Sequence, residues 1–329
     1  MSRRRRGLIA GGAACLALVA WVWLDEGTPV QVSVPVGATL AEVADSLAAR
    51  DVIRWEALFK LQARIVRAER GLRAGTYALR TGSSSLSVLR TLQRGEVMTV
   101  AMTIPEGFRV AQMAPRISAV TGVAADSVAA LLEEPALAER LGSPGGTLEG
   151  YLFPDTYRFA QGVSVASVAG AMLSRYQGVW TPERRERLDS LGLTEHELVT
   201  LASIVQAEAR LEQEMPQIAG VYHNRLDRGW RLQADPTVLY ALGGYRERLL
   251  YAAIDSVQDN PYNTYAHAGL PPGPIGAPGE AAIDAALNPT GDYLYFVAWP
   301  DGSHVFTRSL VEHNRAKANA QRARDGSAS

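Results

Sequence analysis

Hydrophobic and polar positions divide the chain into three stretches. Arg3, Arg4, Arg5 and Arg6 precede an uncharged apolar run over 7–24, 18 residues long. As a helix that run measures about 27 Å, close to the roughly 30 Å hydrocarbon core of a bilayer. With the arginines before it and Asp25 and Glu26 after it, the run predicts a single transmembrane helix, with the arginines cytoplasmic and the rest of the chain outside. A cleaved signal peptide fits less well. The run ends in bulky Trp21, Val22, Trp23 and Leu24 and lacks a small-x-small cleavage site. A lipoprotein signal at Cys15 fits poorly too, because Gly12 stands where a branched residue is expected. The pattern predicts a single-pass protein of the inner (cytoplasmic) membrane whose body is extracytoplasmic.

From Val30 the pattern changes. Val30, Val32 and Val34 alternate as in a half-buried strand, 35–39 reads as a turn and cap, and Leu40, Val43, Ala44 and Leu47 recur at helical spacing. Further helices are predicted over 55–66 and 86–92, with a short strand over 74–79 between them. The first strand, the Pro-x-Gly-x-Thr-Leu stretch (35–40) and the helix after it resemble half of a LysM glycan-binding module. A generic small α+β domain explains the same pattern.

The third stretch begins near Val97. It predicts a strand over 97–104, a turn at Pro105-Glu106-Gly107, and helices over 110–119 and 126–133. Leu148-Glu149-Gly150-Tyr151-Leu152-Phe153-Pro154-Asp155-Thr156-Tyr157 mixes aromatics, carboxylates and a proline, and reads as a cleft wall. Thr194 with Glu197 forms a capping-box signal. In the helix that follows, Leu198, Leu201, Ala202, Ile204, Val205 and Ala209 form one apolar arc at about 100° per residue. Glu208 falls inside this arc, whereas Gln206 lies off it. A carboxylate on a buried face loses hydration, which raises its pKa toward the range of a general acid. A glutamate that reaches water at the fraying helix end, or pairs with an arginine, fits the same position. Glu212 is the nearest rival acid.

Pro216 opens another helix that ends near Gly229, and Asp235-Pro236 reads as a cap and first-turn proline for one closed by Gly243. A long loop follows, with Asn260-Pro261-Tyr262-Asn263-Thr264-Tyr265 and Gly269-Leu270-Pro271-Pro272-Gly273-Pro274-Ile275-Gly276. Its tyrosines and amides suit a sugar site; a proline-stiffened surface loop is the plainer reading. Residues 293–298 and 304–307 predict a hairpin, and 320–329 a frayed polar tail.

Composition narrows the chemistry. The 329 residues suffice for about two domains, and 47% hydrophobic residues allow a real core. Setting aside the four N-terminal arginines leaves 29 basic against 34 acidic residues, or −5, a poor sign for nucleic-acid binding. Cys15 is the one cysteine, so no intrachain disulfide forms. His196-Glu197-Leu198-Val199-Thr200 lacks the second histidine of a zinc-protease helix, the glycines fit neither a P-loop nor a dinucleotide fingerprint, and no Gly-x-Ser-x-Gly occurs. Acid-based chemistry remains, with no metal and no organic cofactor expected.

Several stretches recur in order: 148–157, Ala-Ser-Ile-Val-Gln-Ala-Glu-Ala (202–209), Asn-Arg-Leu (224–226), Leu-Gln-Ala-Asp-Pro-Thr-Val-Leu-Tyr (232–240), Tyr-Asn-Thr-Tyr (262–265), Gly-Leu-Pro-Pro-Gly-Pro-Ile (269–275) and Tyr-Leu-Tyr-Phe-Val-Ala (293–298). Together they resemble the YceG-like family of endolytic murein transglycosylases over nearly the whole chain. The resemblance implies an α+β protein with a cytoplasmic tail (1–6), a transmembrane helix (7–24), a LysM-like module (30–95), a catalytic domain (97–319) and a polar tail (320–329). It implies a lytic transglycosylase that cuts nascent peptidoglycan glycan strands within their length, with the membrane and cell-wall synthases as further candidate partners. Its catalytic glutamate maps to Glu208. Many relatives carry Glu where this chain has Gln206, a departure that makes Glu208 the position to test. Glu149, Gln233, Asp235, Tyr262, Asn263 and Thr264 are candidate substrate-binding residues. A muramidase or glucosaminidase, with Asp235 or Glu149 positioning water, and a non-catalytic wall-binding scaffold are the alternatives.

Overall fold

The computed structural model describes residues 27–68, 71–244 and 251–327. The chain divides into two compact units: one ends at Val100 and takes in Arg158–Gln161, and the other comprises Ala101–Tyr157 and the residues from Gly162 onward.

The first unit runs β1 (Pro29–Val34), α1 (Leu40–Ala48), α2 (Glu56–Ile65), β2 (Gly75–Arg80) and α3 (Ser85–Arg94). β1 and β2 pair antiparallel, with Pro29 opposite Arg80 and Val34 opposite Gly75. Alternation turns Val32 and Val34 inward, where they share a core with Val43, Ala44, Leu47, Phe59, Tyr77 and Leu89. α1 starts where the sequence predicts. The Glu42 N–H donates to Thr39 Oγ1 at 3.3 Å while the Glu42 carboxylate accepts the Thr39 N–H at 2.7 Å.

Onward come β3 (Thr99–Thr103), α4 (Val110–Thr121), α5 (Ala125–Glu133), α6 (Pro135–Leu141) and β4 (Thr156–Ala160), which pairs with β3. Then follow α7 (Val165–Val179), α8 (Pro182–Leu191), α9 (Glu195–Glu208), α10 (Met215–Leu226), α11 (Asp235–Ala241), α12 (Tyr251–Asp255) and α13 (Glu280–Leu287). The antiparallel hairpin β5 (Tyr295–Ala298) and β6 (His304–Thr307) leads into α14 (Leu310–Ser327).

The second unit is built around α9, which packs against α10, α11 and α13. Every residue from Leu198 to Val205 is buried, so this helix is enclosed on all sides rather than along the predicted arc. Its polar members are satisfied within the helix: Thr200 donates to the His196 carbonyl and Ser203 to the Thr200 carbonyl, each at 2.7 Å. Tyr151, Tyr176 and Tyr222 are among the largest fully enclosed side chains.

Several expectations need correction. The transmembrane helix over 7–24 falls outside the described residues, and among those described no helix is long and apolar enough to cross a membrane. The longest, α14, carries charged residues throughout. Over the described residues the fold is α+β with small two-stranded sheets and no membrane-spanning helix. The inner-membrane, single-pass placement is withdrawn with it. α14 also continues as helix into the stretch expected to be a frayed tail. Helices α6, α7 and α8 have no counterpart in the pattern read above. Asp235 is the first residue of α11 rather than its cap, which is Ala234.

Candidate active site

Glu208 is the last residue of α9. Ala209 turns to an extended backbone with ψ 127°, which ends the helix at the acid. Glu208 is only partly accessible. Enclosure of its carboxyl raises the pKa from 4.5 to about 7. The Tyr222 hydroxyl opposes that shift by donating to Oε1 at 2.9 Å, the Asp235 charge adds to it, and Arg225 opposes it more weakly. Tyr222 lies on α10 and is itself 1% exposed, with Phe296 edge-on at 5.9 Å. The acid is thus held by a hydroxyl that cannot wander. Glu212, the rival acid, sits on an exposed short 3-10 turn, because the helix that would have carried it inward stops four residues earlier.

Arg225 is 8% exposed and acts first as a brace: its Nε donates to the Leu294 carbonyl at 2.8 Å and its Nη1 to that of Leu232 at 2.5 Å. Asn224 beside it donates to the Gly291 and Tyr293 carbonyls at 3.1 and 3.0 Å. The Asn-Arg-Leu motif therefore ties α10 to the entry of β5 and to the turn before α11.

Asp235 is exposed and accepts from the Tyr265 hydroxyl at 2.5 Å. Burial, then this bond, pushes the Tyr265 phenol pKa up. Glu149 lies at the N-terminus of α4, where the Val110 N–H meets its two oxygens at 3.2 and 3.3 Å. Burial nonetheless raises its pKa to about 7, against the Val110 bond and the Arg109 charge. Tyr262 and Tyr240 both feel the Glu149 charge, and their ring centroids are 4.7 Å apart. Much of that motif is core rather than cleft wall: Leu148, Tyr151, Leu152 and Phe153 are all buried, whereas Asp155 and Thr156 are exposed.

Two of the expected binding residues turn inward. Asn263 is fully buried, donating to the Ile254 and Val257 carbonyls at 2.9 and 3.2 Å and accepting the Tyr265 N–H at 3.0 Å. The Thr264 hydroxyl accepts the Ala234 N–H at 3.0 Å and lies 2.8 Å from that of Thr237. Both hold the loop in shape and leave no polar atom for a sugar. Gln233 has its side chain exposed and its backbone at φ +51°, fixed by an N–H bond to the Thr264 carbonyl at 3.1 Å. The structure thus associates Glu208 with Asp235 and Tyr265, and Glu149 with Tyr262, while Asn263 and Thr264 frame them.

The proline loop is seated by contacts that only glycine permits. At Gly150, φ +84°, a Cβ would lie 2.3 Å from Pro274 Cβ. At Gly276 a Cβ would lie 2.7 Å from the Gly107 carbonyl oxygen. His196 completes the seat, with Nδ1 2.7 Å from the Tyr151 hydroxyl and Nε2 2.7 Å from the Pro272 carbonyl. Gln206 accepts the Gly279 N–H at 2.9 Å, a loop anchor distinct from the Glu208 environment. Sequence reasoning missed Tyr222, Tyr240 and Arg109. Tyr222 was legible only as one more apolar-face aromatic, and its hydroxyl partner lies 14 residues away. Among the described residues no cluster of three His, Cys, Asp or Glu side chains could hold a metal ion.

With this geometry established, likeness to known proteins becomes informative. The pattern of the YceG-like family matches residues 32–319. An endolytic murein transglycosylase of Bacillus subtilis (strain 168) is 34% identical over 332 residues, covering 94% of this chain and 90% of that protein. One from Streptococcus pneumoniae (strain D39) is 30% identical over 88% of this chain, which spans 59% of that longer relative. A crystal structure of a yceG-like protein from Listeria monocytogenes superposes with a TM-score of 0.61 at 31% identity, covering 88% of this chain and 99% of the other.

Proposed function

The chain belongs to the YceG-like family, and on that premise we propose that it is an endolytic murein transglycosylase, a lytic enzyme that cuts peptidoglycan glycan strands. One observation carries the mechanism: Glu208 closes a buried helix with its carboxyl on the Tyr222 hydroxyl at 2.9 Å, and enclosure there raises its pKa to about 7. At neutral pH such a carboxyl holds its proton in part of the molecules and can release and regain it. Glu208 gives that proton to the glycosidic oxygen leaving C1 of N-acetylmuramic acid. The C6 hydroxyl of the same sugar attacks C1, and the Glu208 carboxylate takes the hydroxyl proton. The enzyme returns to its starting state, and the product ends in a 1,6-anhydro ring with no water added.

Ordinary glycosidases need two carboxylates flanking the bond. Here the substrate supplies the nucleophile, so one acid acts twice. Asp235 and Tyr265 line the approach to Glu208, Gln233 offers an exposed amide, and Tyr262 an aromatic ring. Asn263 and Thr264 serve the site by shaping the loop. The strand–helix–helix–strand order of the first unit supports its reading as a LysM-like glycan-binding module. Asp235 is the observation that favours a hydrolase instead, since a second carboxylate beside the acid can position water.

Digestion of uncrosslinked strands in heavy-oxygen water separates the two. Anhydro ends without label, from cuts within the strands, are expected. Reducing ends carrying one heavy oxygen would replace the transglycosylase with a hydrolase.

A further inference from the structure

Arg109 stands out among the groups the reaction does not use. It precedes α4, half-buried, with its guanidinium 4.8 Å from the centroid of the Tyr240 ring. Among the described residues no hydrogen-bond acceptor meets its side chain and no carboxylate comes within 4 Å. Burial lowers its pKa, and the Glu149 charge only partly opposes that. Stacking on an aromatic ring occupies the face of a guanidinium and leaves its N–H edge open, the geometry that grips a planar carboxylate in two bonds. Glu149 is engaged elsewhere, by the Val110 N–H.

Tyr240 and Asp235 share α11. Asp235 adds to the Glu208 field, whereas Tyr240 lies in that of Glu149 and packs on Tyr262. At 1.5 Å and about 100° per residue, the two positions are about 8 Å apart along the helix and about 140° apart around it, so the two environments are distinct. The same unit thus holds, apart from Glu208, an aromatic patch that carries the Arg109 guanidinium and feels the charges of Glu149 and Glu133.

We propose that Arg109, Tyr240 and Tyr262 form a second glycan subsite, displaced along α11 from Glu208, that receives a sugar bearing a carboxylate, with the ring against the tyrosines and the carboxylate on the Arg109 edge. The inference rests on the glycan-cutting reading above and adds to it a preference for an anionic substituent. That carboxylate has two sources on a muramic residue: its own lactyl group, or the peptide stem attached there.

Binding is measured by calorimetry with the full chain carrying Glu208→Gln, so that no strand is cut. Three ligands are compared: stem-free strands with a free lactyl carboxylate, the same strands with that carboxyl reduced to an alcohol, and stem-bearing strands. Carboxylate-bearing strands should bind about tenfold or more tighter than reduced ones, the effect expected of a charge-assisted contact. Adding Arg109→Met should erase that difference without weakening binding of the reduced strand. A preference confined to stem-bearing strands assigns the carboxylate to the stem and also supports the subsite. Equal binding of all three, or a preference that survives Arg109→Met, overturns it. The comparison of natural and reduced strands needs no change at Arg109, so a folding defect in that variant cannot decide the result. Labelled water in the cleavage products would overturn the reaction assigned to Glu208 and leave this measurement standing.

Discussion

Replacing Tyr222 by Phe removes one oxygen from the molecule and should move the pH dependence of cleavage in a defined direction. The Tyr222 hydroxyl donates to Glu208 Oε1 at 2.9 Å, which favours the ionised carboxyl. Hydrogen bonds to charged groups contribute about 1.5–3 kcal/mol, and one pKa unit corresponds to about 1.4 kcal/mol. Loss of the bond should raise the Glu208 pKa by about one unit or more above its present value of about 7. Because the proposed first step needs the protonated Glu208, the alkaline limb of kcat/KM should shift upward by the same amount. The Phe ring keeps the edge-on contact with Phe296 and the buried position, so the fold should tolerate the change. The assay is kcat/KM on uncrosslinked strands from pH 5 to 9, paired with direct titration of the Glu208 carboxyl by NMR. A limb that stays in place or moves down would refute the reasoning.

Glu208 and Glu149 both have folded-state pKa values raised from 4.5 to about 7. The folded state therefore holds these protons more tightly than the unfolded state, and stability falls as pH rises from 4.5 through about 7. Each contributes a loss on the order of 1–3 kcal/mol. Glu208→Gln and Glu149→Gln should each resist denaturant better than the parent at pH 8 and about equally at pH 4; equal midpoints at pH 8 would contradict the burial argument. Gly150→Ala forces a Cβ into Pro274 at a positive-φ position and should destabilise by about 1–3 kcal/mol or more, read as a lower melting temperature. Gln206→Glu keeps the acceptor for the Gly279 N–H and should retain cleavage, whereas Gln206→Ala should loosen the proline loop; an inactive Gln206→Glu with intact folding would reopen the role of that position.

What the sequence determined by itself is local. The caps at Thr39 and Thr194 join residues three apart, and both form as the spacing predicts. The alternating valines of β1 and the hairpin near the C-terminal end depend on periods of two and on a short turn, which neighbouring residues set. The acid at the end of an apolar helix is legible too, because residue order alone puts Glu208 there. Tertiary structure decided the rest. An apolar period says which side of a helix is buried but not what covers it, and α9 proved covered on every side by elements far along the chain. Whether Glu208 keeps its proton depends on atoms brought by Tyr222, Asp235 and Arg225, none adjacent to it in sequence. Asn263 and Thr264 show the limit from the other direction. Polar residues in a proline-rich loop suit a sugar or a buried backbone equally well, and the carbonyls of residues 254 and 257 and the amide of Ala234 claimed them first. Desolvation and hydrogen-bond satisfaction are sums over space, so only the folded chain could assign those side chains.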